Sequence, residues 1–392
     1  MFYFLNFVFW FSFFILFYSY IGYGILLFII IKLKRKFFKK PQTEYSIYMP
    51  EISLVIAAYN EEKYIETKIL NSLKLSYPQQ KLKIIIVTDG STDSTPAIVK
   101  NYSQVRLFHQ PERQGKIAAV HRIMEFIKSP IVIFTDANTL LNETALQNIV
   151  RHFAHKDVGA VAGEKQILEK ENDTASGAGE GFYWKYESKL KTWDSELLTV
   201  VGAAGELFAI RTELYEDIPK DTLIEDFYLT LRIAQKGFRV IYEPKAVAIE
   251  TASADVKEEL KRKVRIAAGG IQSIVRLKSL LNPFKYKILT FQYVSHRVLR
   301  WTIAPLCLLF LFISNIILAT YSSFFQLILL LQALFYLSAL TGFIMAKKEI
   351  KIKVFFIPYY FFIMNYAVFA GFFRYLKGSQ SVIWEKSKRA EG

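Results

Sequence analysis

Residues 1–31 contain no Asp, Glu, Lys or Arg, and neither do residues 302–346. Charge-free runs of that length belong in lipid, and they constrain the rest of the chain. As a helix the first run would be roughly 46 Å long, enough for one tilted span and too short for two. It is too long and aromatic for a signal-peptide core, and no small-residue cleavage site succeeds it. The run ends in Ile31-Lys-Leu-Lys-Arg-Lys-Phe-Phe-Lys-Lys40, six cations in ten residues, which by the positive-inside rule places residue 40 in the cytoplasm. The second run suffices for two spans of about 20 residues, with Tyr321-Ser322-Ser323 as the turn. A third run, Val354 to Phe373, is interrupted by Pro358 and Asn365. A full span there would put the basic tail (Arg374, Lys377, Lys386, Lys388, Arg389) on the outer side, against the same rule. A span and a re-entrant or interfacial helix therefore both stay open.

Composition narrows the remainder. Of 392 residues 52% are hydrophobic, which excludes a disordered chain, and 22% are charged, which excludes a pure membrane bundle. The net charge of +15 would by itself suggest a nucleic-acid binder, but its cations flank the apolar runs. The single cysteine, Cys307, lies in an apolar stretch, so there is neither a disulfide framework nor a cysteine metal cluster.

Between the apolar runs the pattern alternates. Strand-like segments at 52–57, 83–87, 105–108 and 131–135 are separated by helix-like ones at 61–75, 95–102 and 116–127. This predicts an α/β domain with a mainly parallel sheet, whose ligands sit beyond the carboxyl ends of the strands. Three such ends are rich in polar groups: Ala58-Tyr59-Asn60-Glu61, Thr88-Asp89-Gly90-Ser91-Thr92-Asp93 and Thr135-Asp136-Ala137-Asn138. Asp93, just before a helix, reads as a cap. The others converge on one cleft and offer oxygen ligands suited to Mg²⁺ or Mn²⁺. No P-loop and no Gly-x-Gly-x-x-Gly is present. His109, His121, His152 and His155 lack metal-ligand spacing and read as structural.

These residues resemble the family 2 glycosyltransferases, in the membrane-integrated branch that includes cellulose, hyaluronan and poly-N-acetylglucosamine synthases. The resemblance covers roughly residues 50–275 and rests on several motifs in order. Ser53-Leu-Val-Ile-Ala-Ala-Tyr-Asn-Glu61 matches the opening strand and nucleotide-binding turn, and Val87-Thr-Asp89-Gly-Ser-Thr-Asp93 the next. Arg113-Gln-Gly-Lys116 resembles the segment whose lysine approaches the diphosphate. Thr135-Asp136-Ala-Asn138 stands in place of the Asp-x-Asp metal motif, Gly202-Ala-Ala-Gly205-Glu206 in place of the acceptor-side turn, and Leu223-Ile-Glu225-Asp226 in place of the Glu-Asp pair. Lys236 to Pro244 matches the strand after that pair, and Lys261-Arg262-Lys-Val-Arg265-Ile266 sits where the synthases have Gln-x-x-Arg-Trp.

The resemblance implies a GT-A, Rossmann-like fold and inverting transfer from a nucleotide-diphospho-sugar, a UDP-sugar by default. Asp226 would be the base and Glu225 its positioning neighbour. Tyr59, Glu61, Asp89, Lys116, Arg262 and Arg265 would bind the nucleotide-sugar. Gly205, Glu206 and Trp384 would face the acceptor, and Asp136 with Asn138 would hold Mg²⁺ or Mn²⁺. The expected partners are a lipid-linked or glycan acceptor, membrane lipid, and other glycan-assembly or export proteins, with no nucleic acid.

Three departures bear on function. Asn138 replaces the second Asp of the metal motif, Thr88 the first Asp of the Asp-Asp-Gly turn, and Ile266 the tryptophan that forms a sugar-stacking platform in processive synthases. Ile266 favours limited addition over processive synthesis, with a catalytically inactive scaffold as the non-enzymatic alternative. Retention of Asp89, Asp136, Asp226 and Arg265 argues against the scaffold. His296 admits two readings, a cleft-side contact or an interfacial anchor, and Trp301 reads as an interfacial anchor. Residues 261–278 read as an amphipathic helix at the membrane surface, carrying Arg262 and Arg265 on the cleft floor. The expected organisation is a membrane helix at 1–33, a basic linker at 34–50 and a cytosolic GT-A domain at 51–252. Interface helices come next at 253–297, then membrane segments at 298–375 and a basic tail at 376–392, all at the cell's inner or plasma membrane.

Overall fold

Ile52, Leu54 and Ile56 on one face of strand β1 (Ile52–Ala58), and Val55 and Ala57 on the other, are all buried. An unbroken apolar strand of this kind is covered by helices on both faces. The computed structural model of the chain describes residues 1–37, 48–168, 175–251, 256–348 and 352–378. Within them β1 is central to an eight-stranded sheet. Its other strands are β2 (Leu82–Asp89), β3 (Val105–Gln110), β4 (Ile131–Asp136), β5 (Thr139–Leu141), β6 (Val158–Leu168), β7 (Leu207–Arg211) and β8 (Arg239–Thr251), in the order β3-β2-β1-β4-β7-β6-β8-β5. The first four run parallel, as the alternation predicts; β7 runs antiparallel to both β4 and β6, so the whole sheet is mixed.

Five helices cover the two faces. Helices α2 (Ile65–Leu73), α3 (Thr95–Lys100) and α5 (Ala145–Val150) pack on the Ile52 side. Helices α4 (Lys116–Met124) and α7 (Glu225–Gln235) pack on the Val55 side. Asp93 behaves as read: its Oδ1 accepts from Thr95 N at 3.0 Å at the start of α3.

Helix α1 spans Phe2–Phe37, with one π-helical stretch at Tyr18–Gly22. Far along the chain come α6 (Ala175–Leu197) and α8 (Val256–Arg276). The C-terminal part holds α9 (Ile288–Trp301), α10 (Ile303–Leu318), α11 (Ser323–Lys347) and α12 (Lys353–Leu376). Three described helices, α1, α11 and α12, are long and apolar enough to cross a membrane; α9 and α10, bent by 53° at Thr302, would make a fourth as one broken span. The 302–346 run does form two helices, joined by a short turn after Leu318.

The third apolar run is one uninterrupted helix despite Pro358 and Asn365. Asn365 is accommodated because its Oδ1 accepts from the Tyr20 hydroxyl at 2.7 Å and its Nδ2 donates to Phe361 O at 2.9 Å. A polar side chain satisfied in this way joins two apolar helices. Residues 261–276, expected to form an amphipathic helix, are helical within α8, and part of their apolar side packs on protein. Ala267, Ala268 and Ile271 are buried, and α12 packs along α8 so closely that a Cβ on Gly371 would lie 2.8 Å from Ala267 Cβ. The apolar stripe of α8 meets protein because α12 supplies a complementary small-residue face.

Candidate active site

The parallel register sets Ala57 beside Asp136 and Ala58 beside Thr88, so three strands deliver their polar turns to one edge. Beyond that edge lies a cavity of about 340 Å³, within the range that holds small ligands. Tyr59, Glu61, Lys116, Asp136 and Asn138 line it from the sheet side. Gly205, Glu206, Glu225 and Asp226 line it from the loop before β7 and the start of α7, and α8 contributes Arg262, Arg265 and Ile266. Asp89 lies in a small adjoining hollow with Tyr59, Arg113 and Gly115. Its Oδ2 accepts from Gln114 N at 2.9 Å and Gly115 N at 2.6 Å. Trp384 lies outside the described residues, as does the tail from 379.

Lys116 is the electrostatic hinge of the site. Its Nζ lies 2.9 Å from Asp136 Oδ1 and 2.8 Å from Glu225 Oε1. Burial pulls the ammonium's pKa down, but Asp136 and Glu225 together carry it above the ordinary lysine value. Glu225 is pushed up by burial and pulled further down by Lys116, so it stays a carboxylate. Asp226 behaves oppositely. Burial first, and then the neighbouring Glu225, raise its pKa to about 7, with Lys116 opposing and Glu206 adding to the rise. Two adjacent carboxyls driven apart in this way can serve one as a fixed charge and the other as a proton acceptor. A Cβ on Gly205 would stand 3.5 Å from Asp226 Oδ2, so the Gly202–Glu206 turn borders this carboxyl.

Several supporting groups were not read from the sequence. Lys68, fully buried, donates to Thr135 Oγ1 at 3.0 Å and Thr139 O at 2.7 Å, bracing the Asp136 turn from behind. Burial pushes its pKa down to about 7, with Asp136 opposing. Glu206 is ion-paired with the buried Lys165, which also meets Glu250 Oε2 at 2.5 Å. Arg262 pairs with Glu259 at 2.9 Å. Trp184, Glu187 and Lys191 of α6 line the cavity; their spacing of three and four residues puts them on one helix face, a signal available in the sequence.

Two expectations are overturned. Trp301 is not an interfacial anchor: it lines the cavity, stands edge-on to Phe227 with ring centres 5.2 Å apart, and lies against Gly270. A Cβ on Gly270 would come within 2.3 Å of the indole. Gly270→Val should therefore lower the unfolding free energy by about 1–3 kcal/mol, as overpacking does, and shift tryptophan emission; unchanged melting and emission would refute the contact. His296 is neither a cleft contact nor an anchor. It is 1% exposed, with Nδ1 2.5 Å from Asp194 Oδ2 and Nε2 3.1 Å from Glu187 Oε1. The two acids come from α6, more than 100 residues earlier, which hid the pairing. His152 likewise pairs with Glu243 at 2.7 Å, in keeping with a structural role.

Residues 53–219 match the family described as glycosyl transferase family 2. The chain carries a glycosyl transferase family 2 domain. Among its relatives is a β-monoglucosyldiacylglycerol synthase from a Nostoc species, 27% identical over 208 residues, covering 49% of this chain and 43% of the relative. Another is the poly-β-1,6-N-acetyl-D-glucosamine synthase of Staphylococcus aureus, 26% identical over 236 residues, covering 57% and 56%. The chain thus spans about half the length of the curated relatives it matches. Among solved structures, a mannosyltransferase from Pyrobaculum calidifontis in complex with GDP-Man and Mn²⁺ superposes with a TM-score of 0.66. That match covers 90% of this chain and 95% of that one at 22% identity. The architecture is therefore the GT-A fold with apolar helices at both ends.

Proposed function

We propose that the transferase domain moves a sugar from a nucleotide-diphospho-sugar to a lipid-linked or polysaccharide acceptor, with inversion and by limited addition. The observation that carries this reading is one cavity joining the Asp136–Asn138 strand end to Asp226, a half-buried carboxyl whose pKa is raised to about 7. An acceptor hydroxyl oxygen attacks the anomeric carbon, the bond from that carbon to the diphosphate oxygen breaks, and the hydroxyl proton passes to Asp226. Arg265 and Arg262, both on the cavity wall, are placed to bind the departing diphosphate, and Tyr59 and Glu61 to border the nucleotide. Arg113 holds the Tyr59 ring, its guanidinium 3.6 Å from the ring centre. Asp89 faces the base from the adjoining hollow.

Asp136 and Asn138 bring one carboxylate and one amide oxygen to the cavity, and no cluster of three or more His, Cys, Asp or Glu suited to a metal exists among the described residues. That sparse set fits Mg²⁺ or Mn²⁺, which completes its shell with water and substrate phosphates. Bound there, the ion would supply charge neutralisation for the leaving diphosphate. The basic run that begins in the last turns of α1, with Lys32, Lys34, Arg35 and Lys36, supports a catalytic domain on the cytoplasmic face of the cell membrane. Export or assembly proteins would then handle the product.

Screening the purified chain, with Mg²⁺ or Mn²⁺, against a panel of nucleotide-sugars should identify a donor from which nucleotide is released; release from none would refute the reading. With that donor, kcat/KM should rise about ten-fold per pH unit below pH ~7 and level above it, because Asp226 accepts a proton only once ionised. A flat profile from about pH 5 to 8 would remove Asp226 from the role. Processive synthesis is the second reading, favoured by Trp301 and Trp184 on the cavity wall, which supply aromatic surface that Ile266 does not. A ladder of long products would establish it over limited addition.

A further inference from the structure

Most cations on the cavity wall have a carboxylate of their own. Lys116 lies between Asp136 and Glu225, Lys261 meets Glu258 at 2.7 Å, Lys263 meets Glu259 at 3.3 Å and Arg297 meets Glu187 at 2.5 Å. Lys191 does not fit this pattern. The residue is only 3% exposed, yet among the described residues its ammonium makes no hydrogen bond or ion pair, and it borders the cavity. Its contacts are aromatic: the Trp184 ring at 5.3 Å and the Tyr242 ring at 5.6 Å. Trp184 also has Lys165 at 5.4 Å and Lys263 at 5.6 Å, so three ammonium groups gather around one indole. Two of the three are neutralised by glutamates. A buried ammonium without a carboxylate in direct contact is costly, and burial, helped by Arg297, pulls the Lys191 pKa down against the more distant attraction of Glu187, Glu164 and Glu206.

The surroundings say what would complete the site. Glu206 is an electrostatic neighbour of both Lys191 and Asp226, which puts Lys191 on the side of the cavity where the proton is taken. Lys263, beside Trp184, also lies 5.8 Å from the ring of Tyr360 on α12. The same helix lines the cavity with Met364, Ala367 and Val368. An apolar wall on a helix long enough to cross a membrane thus adjoins a buried cation that no described carboxylate pairs.

We propose that Lys191, with Trp184, seats an acidic group of the acceptor, and that this acceptor is an acidic lipid whose chain runs along Met364, Ala367 and Val368. The inference rests on the transferase reading for the word acceptor, and on geometry alone for the binding site. Phosphate and carboxylate heads share the chemistry: a charged oxygen that pairs with the ammonium and offsets the crowding of cations at Trp184.

The test is equilibrium binding to the full chain in phosphatidylcholine nanodiscs, with radiolabelled dodecyl phosphate, laurate and the neutral dodecyl glucoside as probes. Saturable binding of at least one acidic probe is expected, tighter than the neutral one, with phosphate and laurate affinities telling which head the site prefers. Lys191→Met should weaken the acidic probe about ten-fold or more and leave the neutral probe within about two-fold, while Lys191→Arg keeps most of the affinity. Equal binding of acidic and neutral probes to the wild type overturns the proposal even if Lys191→Met does not fold. So does a Lys191→Met that binds the acidic probe as the wild type does. No nucleotide-sugar is needed, so a wild type that turns over no donor refutes the transferase reading alone, and lysine-independent binding refutes this inference alone.

Discussion

Asp226→Asn should lower the rate of sugar transfer by about 10²–10⁴-fold while leaving nucleotide-sugar affinity nearly unchanged. That range is what a positioned general base contributes. Asparagine keeps the shape of the side chain, so Gly205, Glu225 and Lys116 stay in place, and only the proton acceptor is lost. Glu225→Gln is the informative partner. It removes one of the two carboxylates on Lys116 and the charge that helps raise the Asp226 pKa. Its acidic limb should therefore move below about pH 7, where Asp226→Asn should abolish that limb. Transfer kinetics and nucleotide binding measured on both variants decide the assignment. A fully active Asp226→Asn would remove Asp226 from the role of base.

Glu187→Ala should destabilise the whole assembly of membrane helices and catalytic domain. Glu187 Oε1 accepts from Arg297 Nη2 at 2.5 Å, and its Oε2 accepts from Arg300 Nη1 at 3.4 Å. Beside it, His296 reaches Asp194, which also accepts from the Tyr23 hydroxyl at 2.5 Å and from Gln292 Nε2 at 2.9 Å. Arg300 Nε donates to Ser19 O at 2.9 Å. Helices α1, α6 and α9, from widely separated parts of the chain, are thus joined through one buried charge cluster. Removing its central carboxylate leaves two guanidinium groups with little compensation, a loss of about 3–5 kcal/mol. For a domain of this size the melting temperature should fall by roughly 10 °C. Adding Arg297→Met should recover part of the loss, because it removes one of the stranded charges. An unchanged melting temperature in Glu187→Ala would show that the cluster is not what holds the helices together.

Much of the site was legible one turn at a time. Each of Tyr59, Asp89 and Asp136 comes after a short run of buried β-branched residues, and the parallel pairing that the alternation implies brings those turns to one edge. The Glu225–Asp226 pair could be read only through the resemblance, as one of an ordered set of motifs; its place at a helix start alone would suggest a cap. What the turns do to each other was not legible. Lys116 was expected at a diphosphate; the fold also places it between Asp136, 20 residues on, and Glu225, which lies 109 residues on. Trp301 and His296 were misread for one reason. Both stand beside an apolar run and near arginines, the pattern of an interfacial belt, but α9 turns inward and buries them against α6, α7 and α8.

Sequence alone determined which runs are apolar enough for lipid, and the class of fold. Charge-free runs of about 20 residues or more cannot be placed economically in water, and strands alternating with helices close into a sheet with its ligands at one edge. Only tertiary structure decided the electrostatics. Whether a carboxyl is a base near neutrality, a fixed charge, or half of a buried pair depends on depth and on neighbours contributed by distant segments. Asp226 is raised, Glu225 held down, and Lys191 lowered by burial against nearby glutamates, by contacts that no local spacing encodes.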